Sequence, residues 1–316
     1  MDVVIWGMGK LGRTLVEISS DTPRVTFVGA ITARAADVRR DFPGIRVFAN
    51  LDQVQSDFPE AVVLHTGHVL GGDLVATMAE CARRGLDVIT SAGLFHPEAY
   101  GAPSTAELDS CARTYGSRVL SAGAHPGFVL DLLPALLLDL APGWARATVT
   151  KPSDARSWPR SSRHMQGIGR PPHELEQEVP YPLSASAHLL ASAVGRAVVK
   201  IRESRKAEVA STAIEVDDET VVAGLASGFR QECQIDLEGG RRVTLLWSPT
   251  IRVTDGADLS LRVEVEGPSW LSMRLDGGFR QDPYPATAFR MLHVAAAAQH
   301  MPFGVHGVTD VSARWC

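Results

Sequence analysis

No stretch of this 316-residue sequence is long and apolar enough to read as a membrane-spanning helix. The greasiest run, GFVLDLLPALLLDLA, is interrupted by Asp131, Pro134 and Asp139. A basic excess is missing too: 31 Lys and Arg face 36 Asp and Glu, a formal net charge of −5, so no positive field invites nucleic acid. Cysteine is scarce. Cys81, Cys111, Cys233 and Cys316 are scattered without C-x-x-C spacing, and a strand-like run begins at Val3. That leaves no room for a signal peptide, so the expectation is a cytoplasmic protein with reduced thiols. The ten histidines show no H-E-x-x-H spacing, so no metal is expected, and the G-x-S-x-G elbow of serine hydrolases does not occur. Internal repeats and low-complexity tracts are likewise absent.

The chain is long enough for two domains with ample cores. Apolar runs of strand length occur at 3–7, 25–31, 61–67, 86–92 and 117–123, separated by helix-period stretches at 10–19, 71–84 and 104–115. Strands apolar on both faces and separated by helices predict a doubly wound parallel α/β sheet. Residues 1–145 are therefore read as a dinucleotide-binding Rossmann domain. Residues 151–182, rich in Pro, Ser, Arg and His, read as an irregular, lid-like segment, followed by a helix at 184–196. Alternating runs around a Gly239-Gly240 hairpin signal predict a second α+β domain, 146–284, on a mostly antiparallel sheet. A last helix, about 285–299, opens a C-terminal stretch, 285–316, expected to pack back on the first domain. An open antiparallel sheet leaves a broad face, which makes a homodimer the default expectation.

The stretch DVVIWGMGKLGRTLVEI places Gly7, Gly9 and Gly12 in G-x-G-x-x-G, after a strand and at a helix start. In that setting the first glycine permits a tight turn, the second lets backbone approach a pyrophosphate, and the third lets helix and strand pack closely. Gly7, Met8, Gly9, Lys10, Leu11 and Gly12 are thus candidate dinucleotide contacts. An NAD enzyme commonly carries an acid at the end of the second strand; here Thr32, Ala33 and Arg34 stand there. A missing carboxylate and a nearby arginine suit a 2′-phosphate, so NADP(H) is preferred over NAD(H). Thr66 and Gly67, and Ser91 and Ala92, close two further strands where the cofactor is expected to lie.

Three further segments carry a family resemblance. SAGAHPGFVLDLLPALL (121–137) resembles the G-x-N-P-G-F-x-x-D-x-L-P segment of the 2,4-diaminopentanoate dehydrogenase family, which includes amine dehydrogenases and is related to dihydrodipicolinate reductase. KPSDARSWPRSSRHMQGIGRPPHEL (151–175) resembles its D-A-S-x-R-R segment, and LDGGFRQDPYPATAFRMLHVAAA (275–297) its G-G-x-x-G-D-x-A-T-A segment. The resemblance implies an NAD(P)-dependent oxidoreductase acting on a C–N bond, as an imine reductase or an amine dehydrogenase on a small amine or imine. It also places His125 and Pro126 at the nicotinamide and the 151–175 segment over the substrate.

Two departures matter. Ala92 and Gly93 stand where the family's amine dehydrogenases carry glutamate, and His125 replaces the asparagine before Pro-Gly-Phe. His125 is therefore a candidate proton donor or a cofactor-packing residue. His164 is a second candidate donor or a surface histidine. Lys151 compares with the lysine of dihydrodipicolinate reductase's K-x-D-A-P-S-G, although KPSDA lacks the Ser-Gly. Asp154, Arg163 and His164 are candidate substrate contacts. Two other functions stay open: a dehydrogenase acting on C–OH, and a non-catalytic NADP-binding sensor.

Overall fold

A computed structural model describes the chain except residues 22–24, 68–70, 94–101, 218 and 313–316. Its elements run β1 (Asp2–Trp6), α1 (Lys10–Glu17), β2 (Thr26–Ile31), α2 (Ala35–Asp41), β3 (Arg46–Phe48), α3 (Leu51–Asp57), β4 (Val62–His65) and α4 (Gly71–Ala82). Next come β5 (Asp87–Thr90), α5 (Ala102–Tyr115), β6 (Arg118–Ser121), α6 (Leu132–Leu138), β7 (Arg146–Asp154), α7 (Arg160–Met165), α8 (Pro172–Gln177) and α9 (Leu183–Ala193). The remainder is β8 (Val198–Val209), β9 (Ile214–Val216), β10 (Glu219–Val221), β11 (Ala226–Leu237), β12 (Arg241–Thr250), β13 (Leu261–Glu266), β14 (Leu271–Leu275), α10 (Tyr284–Ala298), β15 (Gly304–His306) and α11 (Val308–Ser312). The chain divides into two units: Met1–Phe128 with Tyr284–Cys316, and Val129–Pro283.

In the first unit seven parallel strands stand in the order β15-β6-β5-β4-β1-β2-β3. The strands are buried on both faces, as their unbroken apolar runs require. On one face Val3, Ile5, Leu11 and Leu15 pack with Ala288, Met291, Leu292 and Ala295 of α10. On the other, Val4, Val63 and Val88 pack with Leu74, Met78 and Leu108. Strand order reverses between β1 and β4, and such a switch point opens a crevice at the carboxyl ends of the strands.

The second unit is built on a six-stranded sheet, β14-β13-β7-β12-β11-β8, in which only β7 and β12 run parallel. Gly239 and Gly240, at φ of +81° and +75°, make the β11–β12 hairpin turn that the pair signals. Strand alternation is regular on β12, where Val243, Leu245 and Trp247 are buried and Thr244, Leu246 and Ser248 half-buried.

Two sequence expectations are corrected. The stretch 129–145, read with the first domain, falls in the second unit, where α6 packs against α9. Residues 151–182, read as irregular, begin inside strand β7 and then form α7 and α8. Pro152 obscured the strand, since proline donates no ladder hydrogen bond, and α7 and α8 are six residues each, too short to show a helical period.

Candidate functional site

The glycine loop in the first unit divides its labour among three positions. Gly7 has φ +110°, and a side chain there would meet Thr66 Oγ1 at 2.7 Å. The Thr66 hydroxyl instead donates to the Gly7 carbonyl at 2.6 Å, while the Gly7 N–H donates to the Ile31 carbonyl. The turn is thereby tied to both β4 and β2. At Gly12 an added Cβ would lie 2.1 Å from the Gly7 carbonyl oxygen, so the helix touches the loop backbone directly. Gly9 differs: a Cβ there would meet nothing within 4 Å. Packing among the described residues does not explain glycine at Gly9, and its open side leaves room for a ligand to approach the backbone. Gly9 is also the N-cap of α1, no side chain caps that end, and the first turn carries no acid. Its amide groups and dipole therefore suit an anion such as a pyrophosphate. Met8 and Leu11 are buried, whereas Lys10 is half-buried with its ammonium 4.7 Å from the Tyr284 ring centroid.

At the end of β2, Thr32 is half-buried and its hydroxyl accepts the Arg34 N–H at 3.0 Å; Ala33 and Arg34 are exposed. The Arg34 guanidinium has no ion pair among the described residues, unlike Arg13 and Arg40, which both bind Asp41. The neighbouring strand ends are also ordered by hydrogen bonds. Ser91 N–H donates to the His65 carbonyl, and Ala92 N–H to Thr90 Oγ1. The Thr90 hydroxyl lies 3.0 Å from Nδ1 of the buried His65. A side chain at Gly67 would stand 2.7 Å from His65 Nε2. His68 and His96 lie outside the described residues. At the corner after β6, His125 and Pro126 are half-buried. The Ala124 N–H donates to Thr287 Oγ1, and absence of a side chain at Gly123 admits the Pro126 carbonyl, 2.6 Å from where a Cβ would sit.

In the second unit, Lys151 and Ser153 share one face of β7. Lys151 lies beside Trp247 in register, 5 % exposed, and its amine donates to Ser153 Oγ at 2.8 Å. Trp247 Nε1 also reaches that hydroxyl at 3.3 Å, and Trp158 and Phe229 stack about Trp247. Burial without a paired carboxylate disfavours the ammonium form and pushes the amine down to about 7.

Asp154 and Arg163 carry internal partners. Arg156 chelates Asp154 with contacts of 3.0 and 2.7 Å, and the buried Arg163 reaches Glu219 at 3.2 Å and the Trp158 carbonyl. To bind a substrate, either side chain would have to give up these contacts. His164 is 37 % exposed, and its Nε2 lies 2.9 Å from Glu219 Oε2. Glu219 escaped the sequence reading because it sits in VDDET, an acidic run that reads as a solvated turn. The structure instead buries its carboxylate, 6 % exposed, against Arg160, Arg163 and His164. Among the described residues no group of three or more His, Cys, Asp or Glu is placed to hold a metal, and no helix is long and apolar enough to cross a membrane.

No family model matches the sequence. The chain is 25 % identical over 297 residues to an amine dehydrogenase of Streptomyces virginiae, covering 84 % of this chain and 82 % of that protein. Its fold is similar to that of an amine dehydrogenase from Mycobacterium smegmatis, with a TM-score of 0.86 at 18 % identity, covering 98 % of this chain and 95 % of the other. It is also similar to a biliverdin reductase from Synechocystis in complex with biliverdin and NADP+, with a TM-score of 0.57 at 12 % identity over 98 % and 94 % of the chains. The chain therefore shares the fold of Rossmann-type oxidoreductases.

Proposed function

We propose that this protein is an NAD(P)-dependent oxidoreductase acting on a carbon–nitrogen bond, reducing an imine or oxidising an amine. The observation that carries the reading is the loop in which Gly7 and Gly12 are closed by packing while Gly9 is left open at a helix N-terminus. The similarity to two amine dehydrogenases supports the C–N class.

A bound nicotinamide would supply or accept the hydride. The chain's own residues bind, orient and move protons. Gly7, Met8, Gly9 and the first amides of α1 would hold the pyrophosphate. Thr32, Ala33 and Arg34 favour NADP(H), because an exposed, unpaired guanidinium can fork onto a 2′-phosphate. Arg34→Ala is expected to weaken NADPH binding at least tenfold, the loss of about 1.4 kcal/mol, while changing NADH binding little. Titration calorimetry with both nucleotides measures this, and equal losses would remove the preference. Thr66, Gly67, Ser91, Ala92, His125 and Pro126 would border the ring.

Lys151 is the group we assign to the substrate nitrogen. Near neutral pH it can both give and take a proton, a suitable poise for general acid–base work. Ala92 offers no carboxylate to hold a substrate ammonium, which favours the reductive direction. The half-buried face of Thr148, Thr150, Thr244, Leu246 and Ser248 supports a homodimer through the second unit's sheet.

The test is a screen of NADPH consumption with cyclic imines and with carbonyls plus ammonia, alongside NADP+ reduction by diamines. Turnover of an imine or amine is expected. Turnover of carbonyls without ammonia would point to C–OH chemistry, and binding without any turnover to a sensor.

A further inference from the structure

We propose that Glu219 is a positioning residue that makes His164 a second acid–base group, one that acts on the oxygen of a carbonyl-derived substrate. The proposal rests on the C–N reading above. A reaction starting from a carbonyl and ammonia passes through a carbinolamine, and two different atoms then need protons handled. Lys151 serves the nitrogen. Expulsion of the hydroxyl requires a second donor: the nitrogen lone pair forms the C=N bond, the C–O bond breaks, and the imidazolium proton leaves with oxygen as water. Carbinolamine and protonated His164 give iminium, water and neutral His164, so atoms and charge balance.

The geometry points to this role in three ways. First, Glu219 comes from the short β9–β10 hairpin, 55 positions along the chain from His164, yet its carboxylate lies 2.9 Å from His164 Nε2. A carboxylate on Nε2 fixes which ring nitrogen carries the proton there, and leaves Nδ1 as the nitrogen for exchange. Second, the carboxylate is buried while the imidazole is 37 % exposed, so the pair has one anchored end and one accessible end. Third, Gly169, at φ +81°, lies against the pair: a Cβ there would stand 3.1 Å from His164 Nε2 and 3.5 Å from Glu219 Oε1. Any larger residue would press on the contact.

The charged groups facing the pair are Arg160 and Arg163 of α7, each bound to Glu219, with Arg156 beyond them through its carbonyl. Two guanidiniums would be ample to satisfy a purely structural carboxylate. The histidine is the additional member; it and Arg160 reach solvent, whereas Arg163 and the carboxylate are buried.

The experiment compares two reactions of the holoenzyme, NADPH-dependent reduction of a preformed cyclic imine and of a carbonyl with ammonia. His164→Asn is expected to lower kcat of the carbonyl reaction about 100-fold or more, within the usual range for losing general acid catalysis. Imine reduction, which expels no water, should fall at least about tenfold less than the carbonyl reaction. Glu219→Gln removes the carboxylate that orients the ring and is expected to lower kcat of the carbonyl reaction more than that of imine reduction. Because Glu219→Gln also disturbs two arginines, the double variant decides between roles: with His164 already Asn, the Gln substitution should cost the carbonyl reaction nothing further.

Equal losses in both reactions or independent losses in the double variant would overturn the proposal and leave the cluster a structural anchor. If neither reaction occurs in the parent protein although NADPH binds, it is the C–N reading that fails instead.

Discussion

Gly9→Asp should abolish dinucleotide binding while leaving the melting temperature unchanged or slightly raised. The prediction follows from the separate tasks of the three glycines. A side chain at Gly9 meets nothing within 4 Å, and its backbone is extended, at φ −75° and ψ −161°. Aspartate is a favoured N-cap residue, and its charge suits a helix N-terminus by about 0.3–1 kcal/mol. The fold thus has no reason to object. The ligand does, because the new carboxylate would occupy the place and repel the charge of a pyrophosphate. Gly12→Ala is the converse. Its Cβ would overlap the Gly7 carbonyl oxygen at 2.1 Å, so it should cost stability, about 1–3 kcal/mol by analogy with overpacked cores. Thermal denaturation with and without NADPH checks both. If Gly9→Asp melted early, or bound NADPH as the parent does, the loop would be a structural turn and no cradle.

Lys151→Met is expected to reduce imine turnover about 100- to 10,000-fold, the range for a lost general acid, and at the same time to stabilise the protein. The two effects share one cause. The buried amine, held at about 7 against an ordinary 10.5, is stabilised in its neutral form. The unfolded chain then binds more protons between about pH 7 and pH 10.5, so this group makes stability rise with pH across that window. Its penalty is fully present at pH 7 and below. Methionine, similar in length and uncharged, removes the penalty and should raise the melting temperature most at pH 7, with the gain shrinking toward pH 10.5. Activity of the parent protein carries the matching signature. Imine reduction needs the ammonium and should decline as pH rises through about 7, while amine oxidation needs the free amine and should increase there. Stabilisation without loss of turnover would make Lys151 a buried strand residue and nothing more.

Much of the first unit was legible because its strands are continuous apolar runs and its glycines punctuate them. β2, β4, β5 and β6 lie within the runs that predict them, β1 overlaps its run with one residue before it, and the Gly239-Gly240 hairpin forms where the pair signals it. Strands β3 and β15 escaped because they are three residues each, and Val305 and Val47 owe their strand conformation to the neighbours β6 and β2 rather than to a local pattern. The packing roles of Gly7 and Gly12 could be read from the sequence, since their contacts follow from the strand–turn–helix pattern. The surroundings of the candidate proton-handling groups could not. Lys151 looks like any strand-end lysine until β12 brings Trp247 beside it and the strand is buried. Arg163 looks like a free loop cation until the structure buries it against Glu219, itself hidden in an acidic run. Charge in a sequence tells where a group can be soluble; its partner, which decides its task, is a tertiary fact.

In the proposed reaction a dinucleotide delivers a hydride to a carbon bonded to nitrogen. NADPH carrying deuterium at the transferable C4 position, supplied with a cyclic imine and the protein, measures this directly by mass spectrometry and NMR of the product. The expected product is an amine with one deuterium on the carbon adjacent to nitrogen. A product without deuterium, or deuterium transferred only to a carbonyl carbon in the absence of ammonia, would contradict it.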